Sequence, residues 1–246
     1  MRRIAQWIVT IPFWLAFGLS LLLFDLAGRI VRPFSLRAFE MVMGALQRTL
    51  VAVFSILGTR IEIERDPAIL PNTGYALISN HQSVIDIVLI GGLLFTNYPK
   101  YVAKAELGKW IPSISLNLKH GGNALIDRND RMQSIRAISE MAKTAQERNV
   151  SVVIFPEGTR SKNGELGEFK PAGSQALLRA ADRLPVVPTA IHGSWRLHKL
   201  WPAPIGQRVR IRFGAPMERS AGDEKELTAA ARAFIATTLD DWNRSG

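Results

Sequence analysis

Tyr75-Ala76-Leu77-Ile78-Ser79-Asn80-His81-Gln82-Ser83-Val84-Ile85-Asp86-Ile87-Val88-Leu89-Ile90 opens with a short apolar run, breaks on polar residues and continues as a longer apolar run. Read by length, the first run is a buried strand over 75–79 and the second a helix over 84–95. The same alternation continues on both sides. Strand-like runs fall at 60–64, 100–103, 124–127, 151–155, 185–191 and 207–213, and helical spacing at 131–148, 173–181 and 224–243. Strands interleaved with helices predict an α/β domain, residues 60–246, with a central mixed, mostly parallel sheet flanked by helices.

Upstream the pattern changes. Trp7 to Phe24 is uncharged and follows Arg2 and Arg3. As a helix it would extend about 27 Å, near the lower limit for crossing a bilayer core. A second apolar stretch, Met41–Gly58, contains Gln47 and Arg48. A buried Arg48 is costly in hydrocarbon, so residues 1–59 read as a membrane-associated helical hairpin in one leaflet rather than two crossings. Arg32-Pro33 marks its turn, and Pro12 is a candidate kink. A signal peptide is disfavoured because no small-residue cleavage site follows Phe24.

The chain has 246 residues and a formal charge of 31 − 21 = +10. Residues 1–60 carry seven Arg against Asp25 and Glu40, so basic charge coincides with the most apolar part. That favours a membrane surface over nucleic acid. The absence of Cys excludes disulfides, a thiolate nucleophile and cysteine metal sites. Four His leave little room for a multi-His metal site.

Two polar segments carry candidate chemistry. His81 leaves a strand, and Asp86 follows five residues later. On one ideal helix the two would sit about 140° apart, so His81 must precede the helix and Asp86 occupy its first turn. The carboxylate can then hold one ring nitrogen and leave the other as a base. Ser83-x-x-Asp86 also reads as a capping box. The second segment, Phe155-Pro156-Glu157-Gly158-Thr159-Arg160-Ser161, closes the strand Val152–Phe155. Arg160 offers a planar fork for phosphate or carboxylate. Its bland alternative is a surface ion pair with Glu157.

Taken together, Asn80-His81-x-Ser83-x-x-Asp86 and, some 70 residues on, Phe155–Ser161 resemble the glycerolipid acyltransferase family, in particular the lysophosphatidate-acylating branch. Tyr101–Leu107, with Lys104 at the basic position, resembles the family's second block. Gly121–Arg128 and Val187–Ile191 resemble two others, so the likeness runs in order through about residues 60–215. Asn123, Ala124 and Trp110–Leu116 depart from the usual pattern, in segments expected near the acyl or acceptor pocket.

The resemblance implies transfer of a fatty acyl group from a thioester, acyl-CoA or acyl-carrier protein, to the free hydroxyl of a lysophospholipid. His81 would be the general base and Asp86 its support. Arg160, then Arg128 and Lys104, would bind the phosphate. Glu157, Gly158 and Thr159 would form the supporting loop, with no bound cofactor or metal. Membrane lipids, and not nucleic acid, are the expected surroundings, at the cytoplasmic face of a cell inner membrane. Rival readings are acylation of another lysolipid, such as a lyso-aminolipid or lysophosphatidylglycerol, and a non-catalytic basic membrane-surface protein. A hydrolase is a third, although the chain lacks the G-x-S-x-G elbow. Arg208, Arg210 and Arg212 predict one basic strand face, solvated or against anionic lipid. Trp195 and Trp201 are candidate interfacial anchors. His120, His192 and His198 receive no role.

Overall fold

The computed structural model describes residues 2–127 and 129–244. Helix α1 (Arg2–Val31) runs through Pro12 without a break, and α2 (Leu36–Val53) returns after a turn at 32–35. Ser35 starts α2 by accepting the Ala38 N–H at 3.1 Å, as an N-cap serine does. The strands follow as β1 (Arg60–Arg65) and β2 (Ala76–Ser79), then α3 (Ile85–Leu93) and β3 (Lys100–Lys104). Next come α4 (Ile114–His120), β4 (Ala124–Ile126), α5 (Arg131–Glu147), β5 (Val152–Ile154) and α6 (Pro171–Ala180). The chain closes with β6 (Val186–His192), β7 (Arg208–Phe213) and α7 (Glu224–Arg244).

The sheet order is β1-β7-β6-β2-β5-β3-β4. Every pairing is parallel except β6 with β7, so the sheet is mixed and mostly parallel. Strands β2, β5 and all but the last residue of β6 are buried, which explains their unbroken apolar runs. Leu77, Val153, Val187 and Ile211 face one core with α3, and Phe13, Phe54 and Leu57 of the N-terminal segment share it. Ala76, Ile78, Val152 and Ile154 face a second core under α5 and α6.

The N-terminal helices are therefore packed on the sheet rather than separate from it. Helix α2 lies close on α3, where a Cβ at Gly91 would overlap the Gln47 amide and one at Gly92 would meet Val51. Glu40 of α2, 5% exposed, reaches Lys100 Nζ at 2.5 Å and Arg148 at 2.8 Å. Helix α1 is tied along its length. Thr10 Oγ1 accepts from the Ala203 N–H at 2.8 Å, and Trp14 donates to Leu200 O at 2.9 Å. Ser113 donates its hydroxyl to Leu21 O and its N–H to Asp25, both at 2.6 Å.

Two expectations change here. Helix α4 arises where no element was expected, in the atypical segment around Pro112, and serves to hold α1. The β7 arginines do not form an open basic face. Arg208 and Arg212 pair with Glu62 and Glu64 of β1 at 2.5 and 2.6 Å. Arg210 is buried and donates to Glu62 and to Trp242 O of α7. The alternation was read correctly, but the neighbouring strand supplies carboxylates in matching register.

Candidate active site

Parallel strands β3, β4, β2, β5 and β6 end at one edge of the sheet, where α/β proteins place their ligands. At that edge Asn80 extends the β2–β6 pairing past the last strand residue. Its side-chain amide donates to Ile191 O and accepts the Ile191 N–H, both at 2.8 Å. The backbone is thus satisfied as it turns out of the sheet, and His81 is presented at the exit.

Four contacts fix His81. Its N–H donates to Glu157 Oε1 at 2.7 Å, and its carbonyl accepts the Ser161 N–H at 2.8 Å. Its ring stacks on Phe155 with centroids 4.0 Å apart and an angle of 17°. Its Nδ1 lies 2.8 Å from Asp86 Oδ2. An anionic Oδ2 accepts there, so Nδ1 carries the hydrogen and Nε2 is left as the basic nitrogen. Asp86 is fully buried and sits in the first turn of α3. Its Oδ2 also accepts the N–H groups of Gln82 at 2.6 Å and Ser83 at 2.8 Å. This is the backward-reaching half of the expected capping box. The N-cap residue itself is Val84, not Ser83. One carboxylate therefore both starts the helix and holds the base.

The loop after β5 crosses in front of this pair. Gly158 takes a φ of +66°, a conformation that favours glycine and turns the chain outward. Glu157 points inward instead of pairing with Arg160. It clamps two loop ends, accepting from His81 N and, at 2.9 Å, from Gly167 N. Burial raises its pKa above the ordinary 4.5, opposed by those two N–H bonds. The folded state thus binds this proton more readily than the unfolded chain. The associated stability falls as pH rises from below 4.5 through the folded value, and the burial cost is complete above it. Glu157→Gln should abolish that pH-dependent component in thermal melts. An amide offers one oxygen to two N–H donors, so one clamp is lost and turnover should fall about tenfold.

Arg160 and Thr159 are exposed, and among the described residues none pairs with the Arg160 guanidinium. Lys104 is exposed at the end of β3, beside β5 on the same edge. Arg128 lies outside the described residues. Asn123 is structural rather than pocket-lining, since its side chain accepts the Tyr101 N–H and donates to Asn117 O. Trp195 is half-buried against Gly164 and Arg196, whereas Trp201 is 64% exposed beside Trp7. A concavity of about 600 Å³ lies at the opposite end of the sheet around Arg65, Phe213 and Phe234, away from His81. Sequence reading assigned no role to Asn80, which opens the motif, or to Gln82 and Ser194. Asn80 and Gln82 flank His81 in the quoted stretch. Ser194 follows β6 and reaches the same sheet edge only because β6 lies beside β2.

The fold and its edge thus define an α/β protein with a carboxylate-held histidine beside the loop that carries Arg160. The family model described as Acyltransferase matches residues 60–192, more than half of the chain. The chain belongs to the Acyltransferase family. It is 35% identical over 193 residues to the 1-acyl-sn-glycerol-3-phosphate acyltransferase of Cocos nucifera, covering 75% of this chain and 58% of that protein. It is 31% identical over 137 residues to the Escherichia coli (strain K12) protein of the same name, covering 55% and 54%. The chain thus spans little more than half the length of these relatives. The crystal structure of the 1-acyl-sn-glycerophosphate (LPA) acyltransferase PlsC from Thermotoga maritima superposes with a TM-score of 0.81 at 21% identity, covering 99% of this chain and 98% of that one. That likeness establishes the shared fold.

Proposed function

We propose that this chain is a membrane-bound O-acyltransferase that moves a fatty acyl group from a thioester to the free hydroxyl of 1-acylglycerol-3-phosphate, giving phosphatidate. The observation that carries this reading is the His81–Asp86 pair at the sheet edge, set beside Arg160, which has no ion-pair partner among the described residues, in a chain of this family. Neutral His81 takes the acceptor's hydroxyl proton on Nε2 as the hydroxyl oxygen bonds to the thioester carbonyl carbon. The resulting oxyanion needs donors. The Gly158 N–H is committed to Phe155 O, which leaves those of Thr159 and Arg160. Collapse breaks the C–S bond, and the proton on Nε2 passes to the leaving thiolate. No residue is acylated, in keeping with a chain without Cys.

Arg160 binds the acceptor phosphate, with Lys104 and Arg128 in support. Arg160→Ala should raise KM for 1-acylglycerol-3-phosphate about ten- to a hundredfold, the scale of a charged hydrogen bond, and leave KM for the thioester nearly unchanged. Glu157, Gly158 and Thr159 hold the loop.

Helix α1 supports attachment to one leaflet of a membrane. Ile4, Ile8, Ile11, Leu15, Leu19, Leu22, Leu26 and Ile30 form an exposed stripe along it. The opposite side is bonded to the α/β domain from Thr10 to Asp25. A helix fastened this way crosses a bilayer only by drawing polar surface in with it, so it lies flat. The cytoplasmic face of a cell inner membrane supplies both the acceptor and soluble thioester donors.

The test is acyl transfer by the full chain in phosphatidylglycerol-containing vesicles, offered 1-acylglycerol-3-phosphate with acyl-CoA or with acyl-carrier protein. Phosphatidate formed with either donor is the expected result and identifies the donor. No product from folded protein with both donors rejects the assignment. Lysophosphatidylglycerol and lyso-aminolipids in the same assay then test the neighbouring acceptor classes.

A further inference from the structure

Asp86 has two carboxylate oxygens in very different surroundings. Oδ2 accepts from His81 Nδ1, Gln82 N and Ser83 N. Among the described residues, Oδ1 has one partner, the hydroxyl of Ser194 at 2.6 Å. Ser194 is fully buried and comes from the turn after β6, more than a hundred residues from the His–Asp segment. Gly193, at φ +87°, directs the chain back over Arg208 so that the hydroxyl meets Asp86. Among the described residues the only other acceptor near the hydroxyl is Gln82 Oε1, at 3.5 Å, so its single proton goes to the carboxylate. Gln82 in turn donates to Gly164 O at 3.1 Å, joining this cluster to the Arg160 loop.

We infer that Ser194 is the third member of the base assembly, a positioning residue that fixes Asp86 and through it His81. The inference rests on the acyl-transfer reading given above. A hydroxyl donor at Oδ1 stabilises the anion and stops the carboxylate rotating away from Nδ1. Without it, a buried oxygen is left with no donor. The carboxylate becomes more basic, and the His81–Asp86 pair binds a proton more tightly, whichever member carries it. The other ionisable group at the pair is Glu157, which receives the His81 N–H. It is unchanged by substitution at 194.

The test compares Ser194→Ala and Ser194→Thr with wild type in the full chain. Ser194→Ala should lower kcat about ten- to a hundredfold at neutral pH with KM for both substrates within about twofold. The acid limb of its kcat profile should move to higher pH, so that part of the loss recovers on the alkaline side. Ser194→Thr, which keeps the hydroxyl, should retain the wild-type acid limb. A loss of constant size across the pH range, a loss confined to KM, or an Ala variant within twofold of wild type overturns the inference. Should Ser194→Ala fail to fold, Ser194→Cys keeps the volume with a weaker donor and must show the same upward shift. The His81 ring titration by ¹⁵N NMR reads the pair without substrate. An unmoved titration in the variant defeats the Ser194 inference, whereas wild type without acyl transfer but with a moved titration defeats only the acyl-transfer reading.

Discussion

His81→Ala should lower kcat for phosphatidate formation by about 10²- to 10⁴-fold, the usual contribution of a positioned general base. The protein should stay folded and vesicle-bound. The substitution removes a ring that stacks on Phe155 and bonds Asp86, but it leaves the backbone links at position 81 to Glu157 and Ser161 in place. Asp86 would still accept from Gln82 N, Ser83 N and Ser194, so no bare buried carboxylate is created. Asp86→Asn should be nearly as damaging by another route. An amide can present its NH₂ group to Nδ1 and favour the tautomer with the proton on Nε2, which cannot act as a base. Because the two residues act as one unit, the double variant should be no slower than His81→Ala alone. Single-turnover transfer from labelled thioester in vesicles measures all three. A double variant much slower than the single would mean that Asp86 acts independently of the ring. A basic membrane-surface protein without catalysis predicts no turnover in wild type and no change in vesicle binding in any variant.

The His81–Asp86 contact was legible in the sequence because both partners lie within one strand-to-helix connection, where the five-residue spacing limits how they can meet. All seven strands were legible too, since β2, β5 and β6 are buried on both faces and so read as unbroken apolar runs. What escaped was set by contacts between distant segments. Ser194 has no neighbour in sequence that marks it; it matters because β6 lies beside β2. The β7 arginines looked like a free basic face because Glu62 and Glu64 are 146 or more residues away along the chain. A surface pair of Glu157 with Arg160, the nearest opposite charge, was the alternative to a loop-holding role, and the structure turns Glu157 inward instead. Two inward N–H groups compete for it and win, since a buried carboxylate needs donors more than an exposed one does. Helix α4 was hidden by Pro112 and by its short length, and its value lies in the α1 contacts of Ser113.

Glu40→Ala should destabilise the fold by about 3–5 kcal/mol, the scale for removing one partner of a buried ion pair. Glu40 would otherwise read as a stray acid in an apolar helix. It is instead the point at which α2 is fastened to the start of β3 and the end of α5. Lys100 is 5% exposed, and burial lowers its pKa below 10.5 while Glu40 holds it up against that effect and against Arg148 and Arg37. Without Glu40 the Lys100 pKa falls further. Between that folded value and 10.5 the unfolded chain binds the proton that the folded chain has lost, so stability rises with pH across the window. The deficit of Glu40→Ala relative to wild type should therefore be largest near neutrality and shrink toward pH 10. Denaturant unfolding at a series of pH values measures it. Glu40→Ala combined with Lys100→Met, which removes the buried cation as well, should recover much of the lost stability. A deficit independent of pH, or a double variant no better than the single, would show that Glu40 acts by packing alone. The expected result would make the N-terminal helical hairpin and the sheet one cooperative unit. On the membrane-bound reading proposed above, the exposed apolar stripe of α1 would then set the position of His81 at the membrane surface through α2 and this ionic clasp.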